Sequence, residues 1–140
     1  MDENDAQLNP DSQSLSERAL EDYLVQNIRD LDSSLSFEGR QVRIEVGVID
    51  ILAKESKGMV IIELKADQAD ENAVAQIARY LGWMVQQERH AAPFLQRKFR
   101  AILVASDFTQ GAWCAAETIP YLTLYKFKLS KLVFSEVVII

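Results

Sequence analysis

Cysteine and histidine are almost missing from this 140-residue chain, which has Cys114 and His90 as its single examples. One cysteine cannot close an internal disulfide or build a cysteine-based zinc site, so a reducing, intracellular setting is expected. One histidine removes Ser-His pairs, Cys-His pairs and multi-histidine metal cages within one chain. Any hydrolytic chemistry must therefore rest on carboxylates and lysine. His90 itself is expected at the surface, at a helix end. Also missing is any uninterrupted apolar run near the roughly 20 residues of a membrane helix. The start, Met1-Asp2-Glu3-Asn4-Asp5, is acidic where a secretory signal would be basic and then apolar. No membrane association and a cytoplasmic location are the expectations.

What is present suits one folded unit. Hydrophobic residues make up 49% and charged residues 26%, and the length fits a single core. Residues 1–13 carry no periodicity and are expected to be a flexible acidic leader before one domain spanning 14–140. The net charge of −6 speaks against a nucleic-acid partner on its face. Its distribution is uneven. Arg89, Arg97, Lys98, Arg100, Lys126, Lys128 and Lys131 gather in the C-terminal part against Asp107, Glu117 and Glu136. Both a basic face and a charge-balanced surface are compatible with this.

Ser14-Leu15-Ser16-Glu17 matches a capping box, and Leu20, Leu24, Ile28 and Leu31 then recur at helical spacing, predicting a helix to about Asp30. Turn-forming residues around Ser33 and Gly39 precede three strands: a half-buried Gln41–Val46, then Val48–Ala53, then Met59–Lys65. The last two are expected to form a hairpin. From Asp70 the period changes, and Val74, Ile77, Leu81 and Val85 predict a helix to about Glu88. A strand over Phe99–Ala105, a short helix over Thr109–Glu117 and strands over Tyr121–Phe127 and Lys131–Ile140 complete the chain.

Charged residues inside two of the apolar strands carry the chemical information. Asp50 interrupts Val48-Ile49-Asp50-Ile51-Leu52, and Glu63 and Lys65 sit in Val60-Ile61-Ile62-Glu63-Leu64-Lys65. A charge placed there costs several kcal/mol to desolvate, about the scale set by burial of an unpaired ion, unless it is paired or bound to a cation. Alternation along a strand turns Glu63 and Lys65 to one face, and a hairpin brings Asp50 beside Glu63. Two carboxylates, with the Leu64 carbonyl, then form an oxygen site of the kind that magnesium takes, with waters and substrate phosphates as its other ligands. Such a site with Lys65 beside it suits phosphodiester cleavage, which needs an activated water and charge relief on phosphate. The plainer reading is an ion pair of Lys65 with Asp50 or Glu63.

The succession of a helix with Glu17, then Gly47-Val48-Ile49-Asp50, Glu63-Leu64-Lys65 and Gln76-Ile77-Ala78-Arg79-Tyr80 resembles the PD-(D/E)xK nuclease superfamily. Within it, Gly-x-x-Asp, Val-x-Glu-Leu-Lys, the Gln76/Tyr80 pair and Leu81-Gly82-Trp83-Met84 are similar to the C-terminal nuclease domain of NucS-type endonucleases. The resemblance runs from about Ser16 to Ala105, with Ile49 where the superfamily motif has proline. It implies an α/β, restriction-endonuclease-like core in αβββαβ order with a C-terminal helix and strands, a mixed sheet flanked by helices. It implies DNA as partner and Mg2+ or Mn2+ as cofactor. By position, Asp50 and Glu63 would be metal ligands, Lys65 the catalytic lysine, and Gln76 the accessory polar residue with Tyr80 one turn on. Glu17 would be the first-helix glutamate, with Glu21 as the rival.

Two other readings stand beside this one. The chain is also compatible with a non-catalytic nucleic-acid or protein binding module that keeps the nuclease fold. The apolar C-terminal strand from Leu132 to Ile140 offers an edge through which a homodimer would form.

Overall fold

In the computed structural model, which describes residues 16–92, 97–128 and 133–137, the first helix is α1 (Glu17–Gln26). Its cap is Ser16, whose hydroxyl accepts from the Ala19 amide at 3.0 Å, so Glu17 is the first helical residue and not the closing partner of a box. Ser14, like the expected leader 1–13, lies outside the described residues. The single helix expected to Asp30 is two pieces. Asn27 leaves helical geometry, its side-chain amide donating back to the Tyr23 carbonyl at 2.9 Å, and α2 (Ile28–Leu31) follows.

Strands β1 (Ser36–Ile44), β2 (Gly47–Glu55) and β3 (Gly58–Leu64) run antiparallel in turn. β1 is longer than expected, because the chain passes through Glu38-Gly39 as a shift of register between Phe37 and Gly39 where a turn was anticipated. Helix α3 (Glu71–Ala91), capped by the Asp70 carboxylate on the Asn72 amide, crosses over to β5 (Lys98–Ala105), which lies parallel to β3. Helix α4 (Gln110–Glu117), capped by Thr109, leads to β7 (Leu122–Lys128), parallel to β5, and β8 (Val133–Glu136) closes antiparallel to β7. The main sheet has the order β1-β2-β3-β5-β7-β8. Two short strands, β4 (Gln68–Ala69) and β6 (Asp107–Phe108), pair in parallel apart from it. At two residues each they leave no alternation in the sequence.

This is the expected mixed sheet with helices on both faces. On one face α3 and α4 pack Val74, Ile77, Tyr80 and Ala112 against Ile49, Ile61, Ala101 and Leu103. On the other, α1 and α2 set Leu20, Leu24, Ile28 and Leu31 against Ile51, Val60, Ile62 and Ile102. Each such aliphatic side chain taken out of water stabilises the fold by about 1.5–3 kcal/mol. Gly58 allows the tightest approach, since a Cβ there would lie 1.9 Å from the Lys98 carbonyl oxygen.

Three of the basic C-terminal residues are paired with acids. Arg97 pairs with Glu88 at 2.6 Å, Arg100 with Asp32 at 2.8 Å and Glu55 at 2.9 Å, and Lys126 with Asp107 at 3.2 Å. Arg89 and Lys98 line one pocket with Arg97, and Lys131 lies outside the described residues. His90 is exposed near the end of α3. The expected strand Lys131–Ile140 is described only over Val133–Glu136, at the sheet edge, with 131–132 and 138–140 outside the described residues. Among the described residues no helix is long and apolar enough to cross a membrane.

Candidate active site

The hairpin of β2 and β3 is laddered from Glu55↔Gly58 to Ile51↔Ile62. The next opposed pair would be Asp50 and Glu63, and there side chains replace the ladder. Glu63 Oε2 accepts from the Asp50 amide at 3.0 Å, and Asp50 Oδ2 accepts from the Leu64 amide at 2.9 Å. The backbones therefore part at this point, with both carboxylates in the gap. Ile49 and Ile51, two positions apart, pack into opposite faces of the sheet, so β2 turns over at Asp50. Beyond the gap, β3 holds its course through pairing with β5, ending with the Lys65 amide on the Val104 carbonyl at 2.8 Å.

Helix α1 covers the gap. A cavity of about 630 Å³ is lined by Glu17, Arg18 and Glu21 of α1, Arg40 and Gln41 of β1, Asp50 and Leu64. Glu21 is only 6% exposed and is held by three contacts. Arg40 Nε donates to its Oε2 at 2.7 Å, the Arg40 NH2 group lies at the same distance, and Gln41 Nε2 donates to its Oε1 at 2.7 Å. Gln41 Nε2 also lies 3.4 Å from Asp50 Oδ1, and Arg40 reaches Asp22 at 2.6 Å. Of the two rival glutamates, both line the cavity, but Glu21 is the one joined to Asp50 through a shared donor. Glu17 is exposed.

Burial raises the Asp50 carboxyl above its ordinary value, with the Glu21 charge adding and bonds from Leu64 and Gln41 opposing. Glu63, 5% exposed, is pushed up to about 8, first by burial and then by the Asp50 charge. The Asp50 amide and the Lys65 ammonium only partly offset this. Two carboxylates that cannot both ionise in a shared gap form a site that a divalent cation would relieve. The donors are all oxygen, which fits a hard cation. Among the described residues no three Asp, Glu, His or Cys side chains form a ready-made cage, so the protein can offer Asp50, Glu63 and the neighbouring Leu64 carbonyl, with water completing the shell. Lys65 forms no ion pair within 4.0 Å among the described residues, so the plain Lys65–carboxylate pair that the spacing allowed is not formed.

Gln76 and Tyr80 meet each other, one turn apart on α3, where Gln76 Nε2 donates to the Tyr80 hydroxyl at 2.8 Å. Neither lines the cavity of Asp50. Tyr80 is 3% exposed and packs over Gly47, where a Cβ would lie 2.5 Å from its hydroxyl and where φ is +150°. The glycine three residues before Asp50 thus seats Tyr80, placing the Gln76/Tyr80 pair on the α3 side of the sheet. Trp83 donates to Glu45 Oε1 at 3.2 Å. Arg18, Arg40 and Gln41 were not singled out in the sequence. Arg40 and Gln41 fell at or before the start predicted for β1, although the flanking pairs Arg40↔Ile51 and Val42↔Ile49 set Gln41 opposite Asp50.

Comparison with known proteins gives one coherent result. The family model described as the endonuclease NucS C-terminal domain matches residues 16–125. Endonuclease NucS of Pyrococcus furiosus is 33% identical over 98 residues, 69% of this chain and 34% of that protein. Endonuclease NucS of Methanocaldococcus jannaschii is 31% identical over the same share of this chain and 35% of its own length. This chain thus spans about a third of the curated relatives it matches. Among solved structures, a repair endonuclease from Pyrococcus abyssi superposes with a TM-score of 0.67 at 26% identity, covering 81% of this chain and 47% of that one. A complex of EndoMS with double-stranded DNA superposes at 0.68 with 24% identity, over 91% of this chain and 48% of that one, a likeness of fold alone.

Proposed function

Since the chain belongs to the family of endonuclease NucS C-terminal domains, we propose that it is a nuclease domain of PD-(D/E)xK type that hydrolyses DNA phosphodiester bonds with Mg2+ or Mn2+ bound between Asp50 and Glu63. The observation that carries this is the pair of carboxylates in the gap between β2 and β3, Glu63 bonded to the Asp50 amide and Asp50 to the Leu64 amide. Bound there, the cation would lower the pKa of a water and draw charge from the scissile phosphate. The chain's own groups do the rest. The amides of Asp50 and Leu64 fix the two carboxylates, so little reorganisation is needed when a substrate arrives. Lys65, next along β3 on the Glu63 side, carries a positive charge free of ion pairs among the described residues, suited to neutralising phosphate or orienting the attacking water. Arg18 and Arg40 line the cavity beside Asp50, Arg40 with its charge paired to Glu21 and Asp22. Gln76 acts from the α3 side, held by Tyr80.

The test is cleavage of single-stranded, double-stranded and branched DNA by the purified chain in Mg2+ or Mn2+. Cleavage that stops with chelator and falls at least about a hundredfold in Asp50→Asn and Lys65→Ala is expected, the scale of losing one preorganised transition-state contact. Cleavage indifferent to both substitutions overturns the assignment. Absence of both cleavage and Mn2+ binding dependent on Asp50 and Glu63 points to the non-catalytic binding module.

A further inference from the structure

One residue beside the site holds a backbone conformation that its side chain does not favour. Gln41 has φ +50°, the only non-glycine residue with positive φ among the described residues. That region is uncommon for any residue with a Cβ and is visited mainly by glycine, asparagine and aspartate. Strain of this kind persists where surrounding structure imposes it and clusters at functional sites. The imposition is visible here. Gln41 lies on β1 between pairs that set it across from Asp50, at the position where β2 turns over. Its amide nitrogen donates to Glu21 Oε1 at 2.7 Å and lies 3.4 Å from Asp50 Oδ1. One donor thus spans a carboxylate from α1 and one from β2, elements with no other side-chain bond between them among the described residues.

We infer that Gln41 is a positioning residue for the cation site, and that its left-handed backbone is retained because it aims the amide between Glu21 and Asp50. The inference rests on the reading of Asp50 and Glu63 as cation ligands and deepens it. In this role Gln41 acts through the two carboxylates it bonds. It sets the orientation of the Asp50 carboxylate and ties α1 to it, so that the oxygen facing the cavity is presented in a fixed direction. Hydrogen-bond partners of metal ligands have this effect generally, and their loss weakens metal affinity by about 10–100-fold.

Two substitutions separate aim from architecture. Gln41→Gly removes the side chain and suits the backbone; Gln41→Asn also tolerates positive φ and keeps an amide, but is one methylene too short to span the two acids. Both variants are titrated with Mn2+ by calorimetry, melted in chelator, and compared with wild type and Asp50→Asn. The expected result is Mn2+ affinity reduced about 10–100-fold in both, with melting at or above the wild-type temperature for Gln41→Gly. Unchanged Mn2+ affinity in both overturns the inference, as does a Gln41→Gly protein that melts well below wild type, because glycine suits the backbone there and the side chain's bonds then serve the stability of the fold. If wild type shows no Asp50-dependent Mn2+ binding, the cation reading itself has failed. A metal-free measurement then still decides the role of Gln41. Its side-chain amide signals in a 1H–15N spectrum shift in both Glu21→Gln and Asp50→Asn if it spans the two carboxylates, and in neither if it does not.

Discussion

Replacing Glu63 with glutamine removes a titrating proton and keeps the shape of the side chain, including an oxygen able to accept from the Asp50 amide. In wild type the Glu63 carboxyl is raised to about 8 by burial and the Asp50 charge, from an ordinary value of 4.5. Between these two values the unfolded chain gives up a proton that the folded chain keeps. The native state binds more protons, so stability falls as pH rises through that window. At 1.36 kcal/mol per unit, the loss has grown to about 4 kcal/mol at pH 8 and is below about 1 kcal/mol at pH 5. Glu63→Gln carries no such penalty. In chelator its melting temperature should exceed that of wild type by roughly 10 °C at pH 8 and by little at pH 5, at about 2–4 °C per kcal/mol for a chain this size. With Mn2+ at pH 8 the order narrows or reverses, because only wild type has both carboxylates to offer. Thermal melts at the two pH values make the check. A gain independent of pH, or a variant less stable than wild type at pH 8, refutes the claim that the two acids share one buried gap.

Gly47→Ala should lose about 1–3 kcal/mol in urea unfolding, since the new Cβ meets the Tyr80 ring and the backbone stays at φ +150°. Tyr80→Phe should lose about 1 kcal/mol by leaving the Gln76 amide without its acceptor, and should lower cleavage less than Lys65→Ala does. Leu24→Ala, at a fully buried position under α1, should lose about 3 kcal/mol by equilibrium unfolding and leave the pH dependence of stability unchanged.

Long periodic segments were legible from sequence because one physical requirement, burial of one face, dictated them. Val74, Ile77 and Leu81 mark α3, and the apolar runs of β2, β3 and β5 reflect strands buried on both faces. The placement of Asp50 and Glu63 on adjoining strands, with Lys65 just past the end of β3, followed from alternation and a hairpin. What escaped the reading depends on local events without a period. Asn27 divides the first helical stretch, Ser16 and not Ser14 caps it, and the register shift near Gly39 extends β1 backwards over Arg40 and Gln41. Those two residues carry no pattern of their own. Their partner Glu21 lies far off in sequence, and only the packing of α1 over the gap brings them together. The C-terminal cations carry a second lesson, since the spacing along the chain gives no sign that Arg97 meets Glu88, Arg100 meets Asp32 and Glu55, and Lys126 meets Asp107.

The most direct test of the account is a crystal of the wild-type chain soaked in Mn2+ and measured at the manganese absorption edge. The account predicts an anomalous peak at ligand distance from both Asp50 and Glu63, absent from Asp50→Asn crystals. A peak on other groups, or a gap between β2 and β3 that stays empty at saturating Mn2+, would contradict it.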